Sequence, residues 1–228
     1  SRNDSLVMKA SAVTAFEARA VGLTWNFAPV LDVGRTPYWS RFEETFGEDV
    51  YITSQMGGAA VRGMEQLGLE NDKAVASCIK HFIGYSAPKN GIDRTPAHIP
   101  EIILREYYLP SFKEAVASGA STLMINSGEV NGIPTHANKW LLTDVLRGEL
   151  KFEGLACSDW EDIIRLHTWQ KVAATPKEAV AMAVNASVDM SMVPNDYSFP
   201  KYVVELVNEG KISKQRLDEA VGRILKLK

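Results

Sequence analysis

The chain has 228 residues, of which 46% are hydrophobic, and it carries a formal net charge of −3. This is enough apolar material for one large domain, and the lack of any block of basic residues excludes nucleic acid as an expected partner. No apolar run approaches the roughly 18 residues that a membrane-spanning helix needs, so no membrane partner is expected.

Helical and strand-like patterns alternate along the sequence. In chain order they predict a helix at 4–21, a strand at 24–33, a helix at 49–67, a strand at 74–83, a helix at 100–118, a strand at 121–126, a helix at 138–150, a strand at 154–158, a helix at 175–186, a strand at 186–193, and helices at 199–209 and 213–227.

Several of these helices carry recognisable end signals. Asp4 is a candidate N-cap of the first helix, Ser213 caps the last one, and Pro110 is expected to bend or interrupt the helix at 100–118. Thr175, followed by Pro176 and Glu178, has the sequence of a capping box.

The predicted strands are almost continuously apolar, which is typical of a parallel sheet covered on both faces. No G-x-G-x-x-G or Walker motif follows any strand, so a nucleotide-binding fold is disfavoured. We therefore predict the α/β class, with residues 1–228 forming part of a single TIM-type (β/α)8 barrel domain. About five strands are visible and the chain begins on a helix, so the barrel is expected to be incomplete on its N-terminal side.

Polar residues follow the apolar strands, where a barrel carries its chemistry. These residues are Asp32, Lys80, His81, Asn126, Ser127, Asp159, Trp160 and Asp196. Because parallel strands point the same way, we expect their side chains to converge on one rim.

Two interpretations of Asp159 in the segment GLACSDWEDI are possible. It is either a helix N-cap or, beside cations such as Lys80 and Arg41, an ionised nucleophile. Trp160 is either part of the core or a ring that stacks on a ligand. Lys80 and His81 are either structural ion-pair partners or donors to ligand hydroxyl groups. Arg41 is placed to bind a carboxylate or vicinal hydroxyl groups.

No metal or other cofactor is expected. The four histidines, His81, His98, His136 and His167, show neither H-x-H nor H-E-x-x-H spacing.

Four segments occur in order and resemble successive blocks of the barrel domain of glycoside hydrolase family 3, in its β-glucosidase and exo-glucanase branch. They are FAPVLDVGRTPYWSRFEETFGEDV, CIKHFIGY, MINSGEVNG and GLACSDWEDI. The similarity extends to the final GRILKLK segment. It implies a retaining, exo-acting β-glycosidase that releases terminal β-D-glucosyl units from oligosaccharides or β-glucans, and a periplasmic or secreted location.

The resemblance also implies roles for individual residues. Asp159 would be the nucleophile that forms the glycosyl-enzyme intermediate, and Arg41, Lys80 and His81 would bind sugar hydroxyl groups. Trp160 would flank the leaving-group side. Ser127 stands where some plant relatives have a tyrosine, which alters that wall of the sugar pocket.

Two features depart from the full family pattern. The loop GYSAPKNGIDRTPAHIPE lacks the Asp-x-His dyad of the N-acetylglucosaminidase branch, which argues against that activity. The acid/base glutamate of the glucosidase branch belongs to a second domain that is absent from this chain. Two alternatives therefore stay open, namely a non-catalytic sugar-binding fragment and a Schiff-base lyase that uses Lys80.

Overall fold

The structure is a computed structural model that describes residues 2–228. Its contacts divide the chain into two compact units, residues 2–124 with 128–132, and residues 125–127 with 133–228. Each unit contains parallel strands and the helices that connect them, which confirms the predicted α/β class.

The helices and strands have the following bounds. The helices are α1 (Asp4–Ala20), α2 (Val50–Glu65), α3 (Glu101–Ile103), α4 (Leu109–Ala117), α5 (Asp162–Thr168), α6 (Pro176–Asn185), α7 (Ser198–Asn208) and α8 (Lys214–Leu227). The strands are β1 (Trp25–Asn26), β2 (Ala76–Phe82), β3 (Thr122–Ile125), β4 (Glu129–Val130), β5 (Ile133–Pro134), β6 (Leu155–Trp160) and β7 (Met190–Met192). Leu104–Tyr108 and Trp140–Glu149 are π-helical.

In the first unit, β2 lies between β1 and β3, and helices α1 and α4 both pack against α2. The α1–α2 contact depends on Gly63, since a Cβ atom there would lie 2.3 Å from the main-chain oxygen of Met8. Ala15, Met64 and Val75 form a small apolar cluster at this contact.

The strand predicted at 24–33 is regular only over β1. Pro29 lacks an N–H group, which interrupts the ladder, yet the following backbone stays beside β2. Lys80 N donates to Pro29 O (3.1 Å), and Leu31 N donates to Lys80 O (2.6 Å). Asp32 is thereby placed next to the end of β2.

In the second unit, β6 pairs in parallel with β7, and the register shifts between Cys157 and Trp160. The strand predicted at 186–193 is shorter than expected. Ala186 N donates to Met182 O and Val188 N to Ala183 O, so the backbone at 186–188 completes the end of α6 instead of entering the strand.

The helix ends match the sequence signals with some corrections. Thr175 and Ser213 are confirmed as N-caps, but Asn3, not Asp4, caps α1 by accepting a hydrogen bond from Leu6 N. The predicted helix at 100–118 is interrupted by the π-helical turn that precedes Pro110.

No helix within residues 2–228 is both long enough and apolar enough to cross a membrane.

Candidate active site

Asp159 lies near the carboxyl end of β6, after four buried residues of that strand. Its side chain is largely enclosed, and the residue is only 8% exposed. Oδ2 accepts a hydrogen bond from Ser127 Oγ (2.8 Å) and Oδ1 accepts one from Trp160 N (2.6 Å). Hydrogen bonds to both carboxylate oxygens stabilise the ionised form, which a nucleophile requires.

The alternative reading of Asp159 as a helix N-cap is wrong. Helix α5 begins at Asp162, and its N-cap position is Glu161, which has a left-handed backbone (φ 58°) and makes no side-chain cap. The Asp159 carboxylate contacts the N–H of Trp160, which is still part of the strand. The acid is therefore held by the strand end and by Ser127.

Ser127 and Trp160 border this carboxylate. Ser127 is buried and donates its hydroxyl hydrogen to Asp159, so it contacts the acid directly. Trp160 is 47% exposed, so the alternative interpretation, that its side chain belongs to the core, is also wrong. The main-chain N–H of Asp159 donates to His136 Nε2 (3.4 Å).

In the first unit, β2 carries Lys80 and His81 at its carboxyl end. The Nδ1 atom of His81 lies 2.9 Å from Asp32 Oδ2, and both side chains are 1% exposed. The side-chain partner of His81 in this unit is therefore Asp32. Lys80 is partly buried beside it.

Arg41 makes a bidentate pair with Glu44. Its Nε atom lies 2.7 Å from Oε1, and its Nη2 atom lies 2.8 Å from Oε2. Burial opposes the charge of Arg41, but the hydrogen bonds and negative charge of Glu44 raise the guanidinium pKa above its ordinary value. In return, the hydrogen bond from Arg41, with the nearby charges of Lys80 and His81, lowers the pKa of Glu44.

Tyr85 contacts both His81 and Arg41. The sequence analysis did not predict this residue as part of the site. Its ring centroid lies 4.9 Å from that of His81 and 5.6 Å from the guanidinium carbon of Arg41. Its hydroxyl group donates to Asp93 Oδ2 (2.9 Å), while Trp39 Nε1 donates to Oδ1 of the same carboxylate (2.8 Å). Burial, together with the charge of Asp93, raises the pKa of Tyr85.

The predicted site residues therefore fall into two local groups. Arg41, Lys80 and His81 are close to Glu44 in the first unit, and Ser127 and Trp160 adjoin Asp159 in the second. Asp196 behaves differently from the other strand-end residues, because its carboxylate accepts from Ser198 N and Oγ at the start of α7. Within residues 2–228, no group of three or more side chains is arranged to hold a metal ion.

Comparisons with known proteins agree on one family. The model of the glycosyl hydrolase family 3 N terminal domain matches residues 1–227. A lysosomal beta glucosidase of Dictyostelium discoideum is 51% identical over 96% of this chain, and a periplasmic beta-glucosidase of Salmonella typhimurium is 36% identical over 99% of it. The matched regions are 27% and 29% of those proteins, so the chain spans less than a third of their length.

A solved structure gives the same result. The beta-glucosidase of Listeria innocua in complex with glucose superposes with a TM-score of 0.93 at 36% identity, over 99% of this chain and 31% of that protein. This likeness confirms the predicted TIM-type barrel, of which the described residues hold five strands. The chain belongs to glycosyl hydrolase family 3, whose N-terminal domain its sequence matches from residue 1 to residue 227.

Proposed function

We propose that the complete protein is a retaining, exo-acting β-glycosidase that removes terminal non-reducing β-D-glucosyl units from oligosaccharides or β-glucans. The observation that carries this proposal is the Asp159 carboxylate, which is enclosed at the end of β6 and hydrogen-bonded at both oxygens. Donors at both oxygens favour the ionised form of a carboxylate and fix its orientation before a substrate arrives.

The proposed reaction has two steps. An Asp159 oxygen attacks the anomeric carbon, the bond to the leaving oxygen breaks, and a carboxylic acid donates a proton to that oxygen. Water then hydrolyses the glycosyl-aspartate ester with the same second group acting as base, which restores the β configuration. In retaining enzymes the two carboxyl groups lie about 5–5.5 Å apart, and the family resemblance assigns the second one to a domain outside this chain.

The remaining site residues are assigned to the substrate. Lys80, His81 and Arg41 bind hydroxyl groups of the terminal sugar, and Glu44 holds the guanidinium plane of Arg41 in place. Trp160 offers its exposed face to the leaving-group side. Ser127 orients the nucleophile, since its hydroxyl group already donates to Asp159.

The relatives support the substrate class and the location. The two relatives described above are named beta-glucosidases, and the Listeria innocua enzyme was solved with glucose. One relative is named lysosomal and another periplasmic, which supports our proposal of a periplasmic or secreted protein. Family membership gives no support to a Schiff-base reaction at Lys80.

Covalent labelling of the complete protein tests the proposal. An activated 2-deoxy-2-fluoro-β-glucoside should inactivate the enzyme, and peptide mapping should find the sugar on Asp159, because the fluorine slows hydrolysis of the ester. The Asp159→Asn variant should be neither labelled nor active, and Asp162→Asn serves as the neighbouring carboxylate control for labelling. Attachment to Glu161 or Asp162 would overturn the assignment. Release of α-glucose as the first product in a proton NMR time course would overturn the retaining mechanism.

A further inference from the structure

Asp32 and His81 form a buried pair in which one carboxylate oxygen contacts the same residue twice. Asp32 Oδ2 accepts a hydrogen bond from the main-chain N–H of His81 (3.0 Å) and also lies 2.9 Å from its ring Nδ1 atom. The two residues are 49 positions apart in the sequence, so the pair exists only because residues 28–32 run beside β2.

The chemistry of the two groups fixes the proton between them. An ionised carboxylate has only acceptor sites, so the Nδ1 atom facing it must carry a hydrogen. The two ring nitrogens lie on different edges of an imidazole, and the hydrogen bond made by one determines the protonation of the other. Asp32 thus defines both the orientation of the ring and the chemical state of Nε2.

The backbone around Asp32 holds this carboxylate rigidly. Leu31 N donates to Lys80 O (2.6 Å) and Lys80 N donates to Pro29 O (3.1 Å), so main-chain hydrogen bonds to β2 fix this segment. The other carboxylate oxygen, Asp32 Oδ1, is buried and accepts no hydrogen bond from residues 2–228. A buried acceptor left in this state is costly, so the position is not explained by stability alone.

From this geometry we infer that Asp32 is the positioning residue of His81, holding the imidazole with its proton on Nδ1 so that Nε2 addresses a hydroxyl group of the bound sugar. The inference rests on the proposed function, because it assumes that His81 binds the substrate. Asp32 acts through the ring and does not itself touch the sugar.

A double-mutant cycle in the complete protein tests this role. Asn is nearly isosteric with Asp, but its amide group can donate to Nδ1 and so favours the opposite tautomer. We expect Asp32→Asn to lower kcat/KM for an aryl β-glucoside on the order of 10- to 100-fold, the range found for residues that orient metal-bound histidines. In the His81→Ala background the same substitution should change kcat/KM by no more than about twofold, because its target is gone.

Ser111→Ala is the matched control. It removes a buried hydrogen bond to residue 31 on the same segment without altering the contact with His81. We expect it to lower the melting temperature but to leave kcat/KM unchanged. If Asp32→Asn reduces kcat/KM equally with and without His81, or has no effect in the unsubstituted protein, the inference is overturned.

Two further measurements separate the possible failures. If Asp32→Asn does not fold, a neutron structure of the unsubstituted protein should show a deuteron on Nδ1 of His81 within the contact to Asp32, and a bare Nδ1 would refute the inference. If His81→Ala keeps full activity while the fluoroglucoside still labels Asp159, the positioning role falls and the proposed function stands. If Asp159 is not labelled at all, the proposed function itself fails.

Discussion

The pair between Arg41 and Glu44 fixes the orientation of the guanidinium group that we propose binds the sugar. Both guanidinium contacts with Glu44 are short, and the Arg41 side chain is only 22% exposed. Because Lys80 lies nearby as a second cation, Glu44 offsets part of the positive charge of this group. Its removal affects both the stability of this region and the orientation of Arg41.

We predict that Glu44→Gln lowers stability at neutral pH by no more than about 1 kcal/mol, since the Glu44 side chain is 39% exposed and water screens the pair. The folded protein lowers the pKa of Glu44 below 4.5, so the carboxylate stabilises the fold above that pH. This contribution is lost as the pH falls through the lowered pKa. Melting temperatures of the complete protein and the variant should therefore differ above about pH 5 and converge in more acidic solution.

The exposed pair of Arg105 with Glu101 provides a comparison, since it has a similar Nε–Oε1 distance of 2.7 Å. Glu101→Gln should leave KM for an aryl β-glucoside unchanged, whereas Glu44→Gln should raise it. A melting difference for Glu44→Gln that grows toward low pH would contradict the prediction.

For individual residues, the sequence indicated which side chains to consider more readily than which side chains they contact. Asp159 and His81 were chosen as candidates because polar residues that follow apolar strands stand out in any α/β pattern. The contacts of Tyr85 with His81 and of Asp93 with Trp39 depend on the paths of two loops, which no periodic pattern specifies. The partner of His81 lies 49 residues away, and only the packing of the strands reveals it.

Among the elements, α8 is attached to the start of β7 through one buried carboxylate. Asp189 contacts Arg216 (2.5 Å) and Arg223 (3.0 Å) from α8, and Arg147 (2.6 Å) from the π-helical segment. Ala156 N on β6 also donates to it. Three guanidinium groups thus surround one buried carboxylate, and burial lowers the pKa of Arg147 to about 10.

We predict that Asp189→Asn destabilises the protein by about 3–5 kcal/mol, because it removes the buried counter-charge that the three arginines share. The loss should appear as a large fall in melting temperature and as faster amide hydrogen exchange in α8. Glu219→Gln is the matched control, since Glu219 is 42% exposed and lies 3.7 Å from Arg216. It should cost no more than about 0.5 kcal/mol. An equal effect of the two substitutions would show that α8 does not depend on Asp189.

The differences between the predicted and the observed helices and strands also have physical causes. Helix α8 was predicted with nearly its full length, because an amphipathic pattern and the Ser213 cap agree. Strand β7 was predicted too long, since residues 186–188 are as apolar as a strand but complete the end of α6. The π-helical turns were missed because they share the residue composition of α-helices.

The whole chain matches only 27–29% of the length of its two relatives described above. In its first unit, α1 leaves three apolar side chains, Leu6, Val13 and Phe16, more than half exposed. Strand β1 is two residues long and is paired with β2 alone. Exposed apolar side chains and open strand edges promote association with other chains.

We predict that residues 1–228 expressed alone associate or aggregate and do not hydrolyse an aryl β-glucoside. The complete protein, in contrast, should fold and hydrolyse it. The exposed face of α1 and the edge of β1 account for the association. The inactivity follows from our proposal that the proton donor for the leaving group belongs to a second domain. Size-exclusion chromatography with light scattering measures the first, and release of the aryl group measures the second. Calorimetry with glucose then distinguishes a site that binds sugar without catalysis from one that has not formed. A monomeric, cooperatively folding 228-residue species with turnover close to that of the complete protein would contradict both parts, since it would require the acid/base group to lie within this chain.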